Sequence, residues 1–191
     1  NRYYLFVFLT LGATMGIFLS ADLFTTFIFF EIMSFTSTVL VIHEEDDHTI
    51  RSAYTYMTVA IIGGLVTLMG LFMMYQMAGT LNMAELTEFM HAQEDKTAFY
   101  AVGVLILFGF AAKAGLFPLH IWLPNAYSVA PAPSSALLSC ILTKTGVFGT
   151  IIVSCKLFMH DAQWGNLILI LGIITMVMGA VLAVFSVNLK R

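Results

Sequence analysis

The sequence predicts an all-α, polytopic transmembrane helix bundle, and three observations carry that prediction. Apolar residues make up 60% of the 191-residue chain and charged residues only 10%, against roughly 25% charged in a soluble domain. Mean hydropathy is +0.93. The apolar residues fall into six runs, each near the ~20 residues needed to cross a hydrocarbon core of about 30 Å. Too little polar surface exists to face water, so the surplus must face lipid. The net charge of −3 leaves no basic footprint for nucleic acid.

The runs cover 3–20, 22–42, 50–78, 98–117, 134–156 and 164–188, and form a single transmembrane domain over 1–191. The first has full span length and no small-residue cleavage site behind it, unlike a secretory signal. Ser20-Ala21-Asp22 makes a tight turn into the second, with Asp22 placed to cap it. The third is long enough to tilt, and Gly63-Gly64 permits close helix contact within it. Segment 79–97 is the longest polar connection, carrying Glu85, Glu88, Glu94 and Asp95. Its Met83, Leu86, Phe89 and Met90 recur at helical spacing, which predicts a short amphipathic surface helix. Cys140 and Cys155 fall inside a span with no metal-ligand set nearby, and are read as buried, apolar-like thiols. Trp122 and Trp164 fit interfacial anchoring. The many Met and Phe residues read as lipid-facing or packing surface. The chain begins Asn1-Arg2-Tyr3 and ends on Lys190-Arg191 after an apolar run, the expected look of a piece of a longer polytopic protein.

With six spans, Arg2, Arg51, Lys190 and Arg191 share one side, and Lys96 and Lys156 the other. This asymmetry places both ends of the chain on the cytoplasmic side. The acidic loop Glu44-Glu45-Asp46-Asp47 follows, since carboxylates count for little in that rule. His43 and His48 flank it without recognisable ligand spacing, so a solvated loop is expected rather than a metal site. His91 and His160 sit in polar connections and carry no signal.

All four prolines, Pro118, Pro124, Pro131 and Pro133, lie close together. Proline removes a backbone donor and clashes with the preceding turn, so a helix through Lys113 should break near Pro118. Irregular backbone at membrane depth needs protein or a hydrated cavity around it, and transporters place discontinuous helices at ion sites. The alternative is that Pro118 ends a span and 118–133 is a cytoplasmic loop. Leu119, Ile121, Trp122 and Leu123 keep the segment apolar, which favours a half-helix tucked against the bundle.

Three charges stand inside apolar runs: Glu31, Lys113 and Lys144. Insertion scales set each at roughly 2.5–3.5 kcal/mol at a helix centre, so each requires a partner or a use. An ion pair between Glu31 and Lys113 that only holds helices together is one reading. Two lysines and one glutamate do not cancel, however, so one lysine must shed its proton or find a water path. Lysine suits proton transfer because its protonation responds to burial, whereas arginine stays charged. Motion of Glu31 relative to Lys113 would make that lysine alternately hold and release a proton, with Lys144 as receiver. His120, beyond the break, would relay protons toward the cytoplasm, or else bond a backbone carbonyl at the interface.

The run from Lys113 to Tyr127, reading Lys-Ala-Gly-Leu-Phe-Pro-Leu-His-Ile-Trp-Leu-Pro-Asn-Ala-Tyr, resembles the signature of antiporter-like proton-translocating membrane subunits. So do Ala130-Pro131-Ala132-Pro133-Ser134-Ser135 and Leu142-Thr143-Lys144-Thr145-Gly146. Such subunits occur in respiratory NADH:quinone oxidoreductase, Mrp-type sodium/proton antiporters and membrane-bound hydrogenases. Phe30-Glu31-Ile32-Met33-Ser34 is similar to the family's glutamate-bearing helix. The resemblance implies about fourteen helices in two inverted five-helix repeats, with this chain as helices four to nine. It also implies proton-transfer roles for Glu31, Lys113, Lys144 and His120, and the helix break at Pro118. Asn125 stands where many members have aspartate, and Phe30 where tryptophan is usual. The second repeat's lysine or glutamate lies outside this sequence.

The expected function is therefore proton translocation by an antiporter-like subunit of a respiratory, hydrogenase or Mrp-type complex. Its partners would be other membrane subunits, the lipid bilayer and protons or sodium. Sodium/proton antiport and a structural scaffold locked by ion pairs are the rivals. No nucleotide-binding glycine pattern, cysteine cluster or nucleophile–base arrangement points to catalytic chemistry, a cofactor or a metal. A bacterial or archaeal cell membrane is the expected location, an organellar inner membrane the alternative.

Overall fold

The computed structural model describes residues 2–93 and 96–186. Glu94 and Asp95 of the polar connection, the terminal Lys190 and Arg191, and the end of the sixth run at 187–188 lie outside the described residues.

Two helices, α1 (Arg2–Leu19) and α2 (Leu23–Val41), form the first hairpin. Asp22 caps α2 as its sequence position implies, accepting from the Thr25 N–H at 2.7 Å. Its turn is docked on the start of a later one: Leu23 N donates to Leu81 O at 3.0 Å and Met83 N to Ala21 O at 3.1 Å. The long α3 (Asp47–Ala78) is capped by Asp46, which accepts from the Thr49 N–H. It stops at Gly79, whose φ of 75° is the left-handed end cap that glycine adopts without a Cβ clash. The polar connection contains the expected short helix, α4 (Met83–Ala92), with Leu86 and Met90 buried beneath it.

At the centre, α5 (Thr97–Ala114) crosses α3 almost backbone to backbone. A Cβ on Gly63 would lie 3.3 Å from the Gly109 Cα, and the Thr67 hydroxyl donates across to Ile106 O at 3.4 Å. Small residues permit this approach, which gains dispersion where lipid offers no hydrophobic drive. The chain leaves α5 at Gly115 (φ 80°), ahead of the cis Phe117–Pro118 bond. After a 3-10 turn at Leu119–Ile121 it resumes as α6 (Trp122–Val129).

One further span runs over Ala132–Leu157. It comprises α7 (Ala132–Leu137), a π turn at Leu138–Leu142, α8 (Thr143–Ile152) and a second π turn at Val153–Leu157. Gly146 and Gly149 let it lie against α5, the former facing Phe110 and Ala114 backbone and the latter the Phe110 ring. The last helix, α9 (Ala162–Phe185), buries only Trp164. Among the described residues six helices are long and apolar enough to cross a membrane, and many of their large side chains, such as Phe8, Leu65 and Met176, are exposed. The protein is an integral membrane helix bundle.

Contacts sort the connections onto two ends. Arg2 pairs with Glu45 at 2.8 Å, and the Tyr3 hydroxyl meets Ser134 at 3.0 Å. At the other end the 20–22 and 80–83 turns join, and the Tyr100 hydroxyl donates to Asp161 at 2.6 Å. Two local expectations are corrected. Cys140 and Cys155 are exposed, because the π turns that carry them present Leu138, Leu142, Val153 and Leu157 inward instead. Trp122 and Trp164 are buried rather than interfacial. Their indole N–H groups find partners inside, at Ala112 O (2.8 Å) and the Ser154 hydroxyl (3.1 Å).

Candidate functional site

The geometry converges on Lys113, in the last turn of α5 and only 4% exposed. Its ammonium donates to the Ser34 hydroxyl of α2 at 3.1 Å and to the Tyr56 hydroxyl of α3. Three ring faces surround it: Tyr56 at 4.5 Å from the centroid, Trp122 at 5.9 Å and Phe30 at 6.0 Å. Each desolvated cation–π contact contributes about 0.5–2 kcal/mol. Together with the two hydroxyls they offset a burial penalty of roughly 2.5–3.5 kcal/mol.

Behind this contact the polar groups form a ladder along α2. Tyr56 OH and Ser37 Oγ lie 2.6 Å apart. Ser37 donates to Ser34 O at 3.1 Å, and Ser34 to Phe30 O at 2.9 Å. Because Ser37 donates onward, Tyr56 donates to Ser37 and accepts from Lys113, so the chain of donors runs one way. A cavity of about 10 Å³ open to a water-sized sphere adjoins it, lined by Ser34, Tyr56, Gly109, Lys113 and Trp122. That is room for about one water molecule.

Glu31 sits on the same α2 face, one turn before Ser34, and is partly exposed. Its carboxylate lies against Gly64 of α3, where any Cβ would overlap it. Its Oε1 is buried with no hydrogen-bond partner. Among the described residues the ion pair is Arg2–Glu45, and Glu31 does not pair with Lys113.

The structure thus brings Glu31 and Lys113 to one locus and keeps Lys144 away from it. Lys144 is exposed on the outer side of α8, between the buried Thr143 and Thr145. His120 occupies the 3-10 turn after the break, stacked on Phe117 at 5.6 Å, with Nδ1 buried and unpartnered. It lines a groove between α6 and the end of α9 with Asn125, Tyr127 and Thr175. Pro118 lies in the interruption itself. The backbone there is supported from two sides: Phe117 N donates to the Thr175 hydroxyl at 3.1 Å, and Trp122 Nε1 to Ala112 O.

Sequence reasoning missed Ser34, Ser37 and Tyr56. A signal existed, since Ser34 and Ser37 follow Glu31 at helical spacing on one face. Tyr56 gave none, because a tyrosine in an apolar run reads as packing.

The comparisons with known proteins match this architecture. The sequence profile of the family described as NADH:quinone oxidoreductase/Mrp antiporter, transmembrane, matches residues 20–191. The chain is 35% identical over 190 residues to a Na(+)/H(+) antiporter subunit of Alkalihalophilus pseudofirmus, covering 99% of this chain and 38% of that protein. It is 32% identical over 180 residues to the Na(+)/H(+) antiporter subunit of the same name from Bacillus subtilis, covering 94% and 36%. The chain therefore spans less than two fifths of the length of these curated relatives. Among solved structures, the Mrp complex from Dietzia sp. DQ12-45-1b superposes with a TM-score of 0.73 at 29% identity, over 80% of this chain and 29% of that one. The archaeal membrane-bound sulfane sulfur reductase gives 0.79 at 30% identity, over 86% and 34%. The chain belongs to the NADH:quinone oxidoreductase/Mrp antiporter transmembrane family.

Proposed function

We propose that this chain is the proton-translocating core of an antiporter-like subunit within a multisubunit bacterial membrane complex. The observation that carries the reading is Lys113, an amine buried beside hydroxyls with the unsatisfied Glu31 carboxylate a helical turn away. An ammonium in that setting is a removable proton, because neither acceptor set neutralises it permanently. The chain from Thr97 to Val129 acts as one discontinuous span around Pro118, and His120 relays protons from the break to the cytoplasmic side. Lys144 faces the polypeptide by which its relatives exceed this chain in length, and passes the proton onward there. The chain holds the first of two inverted five-helix repeats and the start of the second, with other membrane subunits as neighbours.

The test is proton transfer by the full-length subunit in its complex, in inverted vesicles. Lys113→Ala and Glu31→Ala should each abolish coupled transfer while the complex still assembles. Retained transfer in both variants sinks the assignment.

A second reading, sodium/proton antiport, is favoured by the relatives named as Na(+)/H(+) antiporter subunits. It expects proton flux in vesicles that depends on sodium, and a flux indifferent to sodium removes it. A purely structural ion-pair scaffold expects normal work from Glu31→Gln combined with Lys113→Met.

A further inference from the structure

We propose that Tyr56 is a positioning residue: its hydroxyl, backed by Ser37, forms a second seat for the Lys113 ammonium that competes with Glu31. The inference rests on the reading of Lys113 as the proton carrier and says where that carrier waits.

The two seats share one face of α2. Glu31 and Ser34 are neighbours at i, i+3, with Ser37 one further turn along. At 1.5 Å rise per residue, Ser34 and Ser37 lie about 4.5 and 9 Å from Glu31 along the helix axis. In the structure the ammonium occupies the upper seat, on Ser34 and Tyr56, and leaves Glu31 Oε1 without a partner. An unpaired buried carboxylate oxygen is costly, so its presence beside a seated lysine marks Glu31 as the vacated partner.

Tyr56 is built for the task. It is 1% exposed, its ring lies 4.9 Å from that of Trp122, and its hydroxyl lies 2.6 Å from that of Ser37. Because Ser37 gives its own hydrogen to Ser34 O, the Tyr56 hydroxyl is the donor between the two. A hydroxyl that has given its hydrogen to Ser37 presents a lone pair to the lysine, so the seat accepts rather than repels the ammonium. The small cavity beside Lys113 and Tyr56 leaves the ammonium less than fully packed on that side.

The experiment uses the full-length subunit in its complex and two readouts. One is coupled proton flux in inverted vesicles. The other is the infrared carboxyl band of Glu31, assigned as the band lost in Glu31→Gln. Tyr56→Phe keeps the ring against Trp122 and the Ser34 hydroxyl in place, and removes only the Tyr56 oxygen from the seat. The Glu31 band should shift as Lys113 settles on the carboxylate, and flux should fall roughly ten- to a hundred-fold, the range spanned by one hydrogen bond to a charged group. Ser37→Ala, which frees the Tyr56 hydroxyl to turn, should move both readouts the same way by less. A slowed flux with an unmoved band makes Tyr56 merely structural and overturns the proposal, as does a variant unchanged in both. If Lys113→Ala retains flux, the proton-carrier reading fails instead. The band in Tyr56→Phe still decides the seat, because it reports position and not transport.

Discussion

An ammonium in a low-dielectric interior is stable only while acceptors and ring faces replace its water, and at Lys113 these come from three different helices. The arrangement is therefore sensitive to single atoms. Gly64 is one case, because a methyl group there would enter the Glu31 carboxylate. Gly64→Ala should displace the Glu31 carboxylate at little cost to folding, because the methyl meets the movable end of that side chain, and lower proton flux. Flux measured beside the melting temperature of the detergent-solubilised complex checks this, since loss of flux with normal assembly is the expected pair. Phe30 can be understood at the same scale. It supplies a ring to Lys113 at 6.0 Å while packing edge-on to Phe110 at 5.1 Å.

The elements are held by capping and by a few hydrogen bonds across breaks. Asp22 both caps α2 and anchors the joined turns, so Asp22→Ala should cost about 1 kcal/mol, read as a lower denaturation midpoint. Thr175 of α9 accepts the Phe117 N–H freed at the interruption. Thr175→Val leaves that donor unsatisfied and should destabilise the bundle by about 1–3 kcal/mol, with Thr175→Ser restoring it. The cap of α3 is pH-sensitive. Asp46 accepts from the Thr49 hydroxyl and N–H, which holds its carboxyl below the ordinary range. A carboxyl lowered in the folded state contributes stability above its unfolded value and loses it as pH falls through the folded one. Amide exchange in the first turn of α3 should therefore quicken only in that acid window, and Asp46→Asn should flatten the response. Most of these elements were legible beforehand, because apolar run length, Asp22 and the periodicity of Met83 to Met90 are local signals. The π turns were not, since they add a residue to a helix without altering its composition, and the exposed Cys140 and Cys155 follow from them.

For the molecule as a whole, the bundle is built around the α3–α5 crossing, with α9 laid along one side almost entirely uncovered. Lys144 is likewise exposed, on the outer side of α8. An ammonium facing hydrocarbon costs roughly 2.5–3.5 kcal/mol, so in the full-length subunit this surface should be covered by polypeptide. Lys144→Cys is expected to resist bulky maleimides in the assembled complex and to react readily in the isolated chain. Equal reactivity in both would remove Lys144 from any internal path.

The sequence by itself determined the membrane setting, the six spans and the presence of Glu31, Lys113 and Lys144 within them. Those properties follow from composition and run length, which each stretch of chain carries alone. Only the tertiary structure decided that Lys113 rests on Ser34 and Tyr56 rather than on Glu31, that Trp122 closes over it, and that Lys144 points away. Which groups meet depends on helix rotation and approach, set by glycines at Gly63, Gly64 and Gly109 that bring distant helices into contact. No local pattern encodes a contact between residues so far apart along the chain.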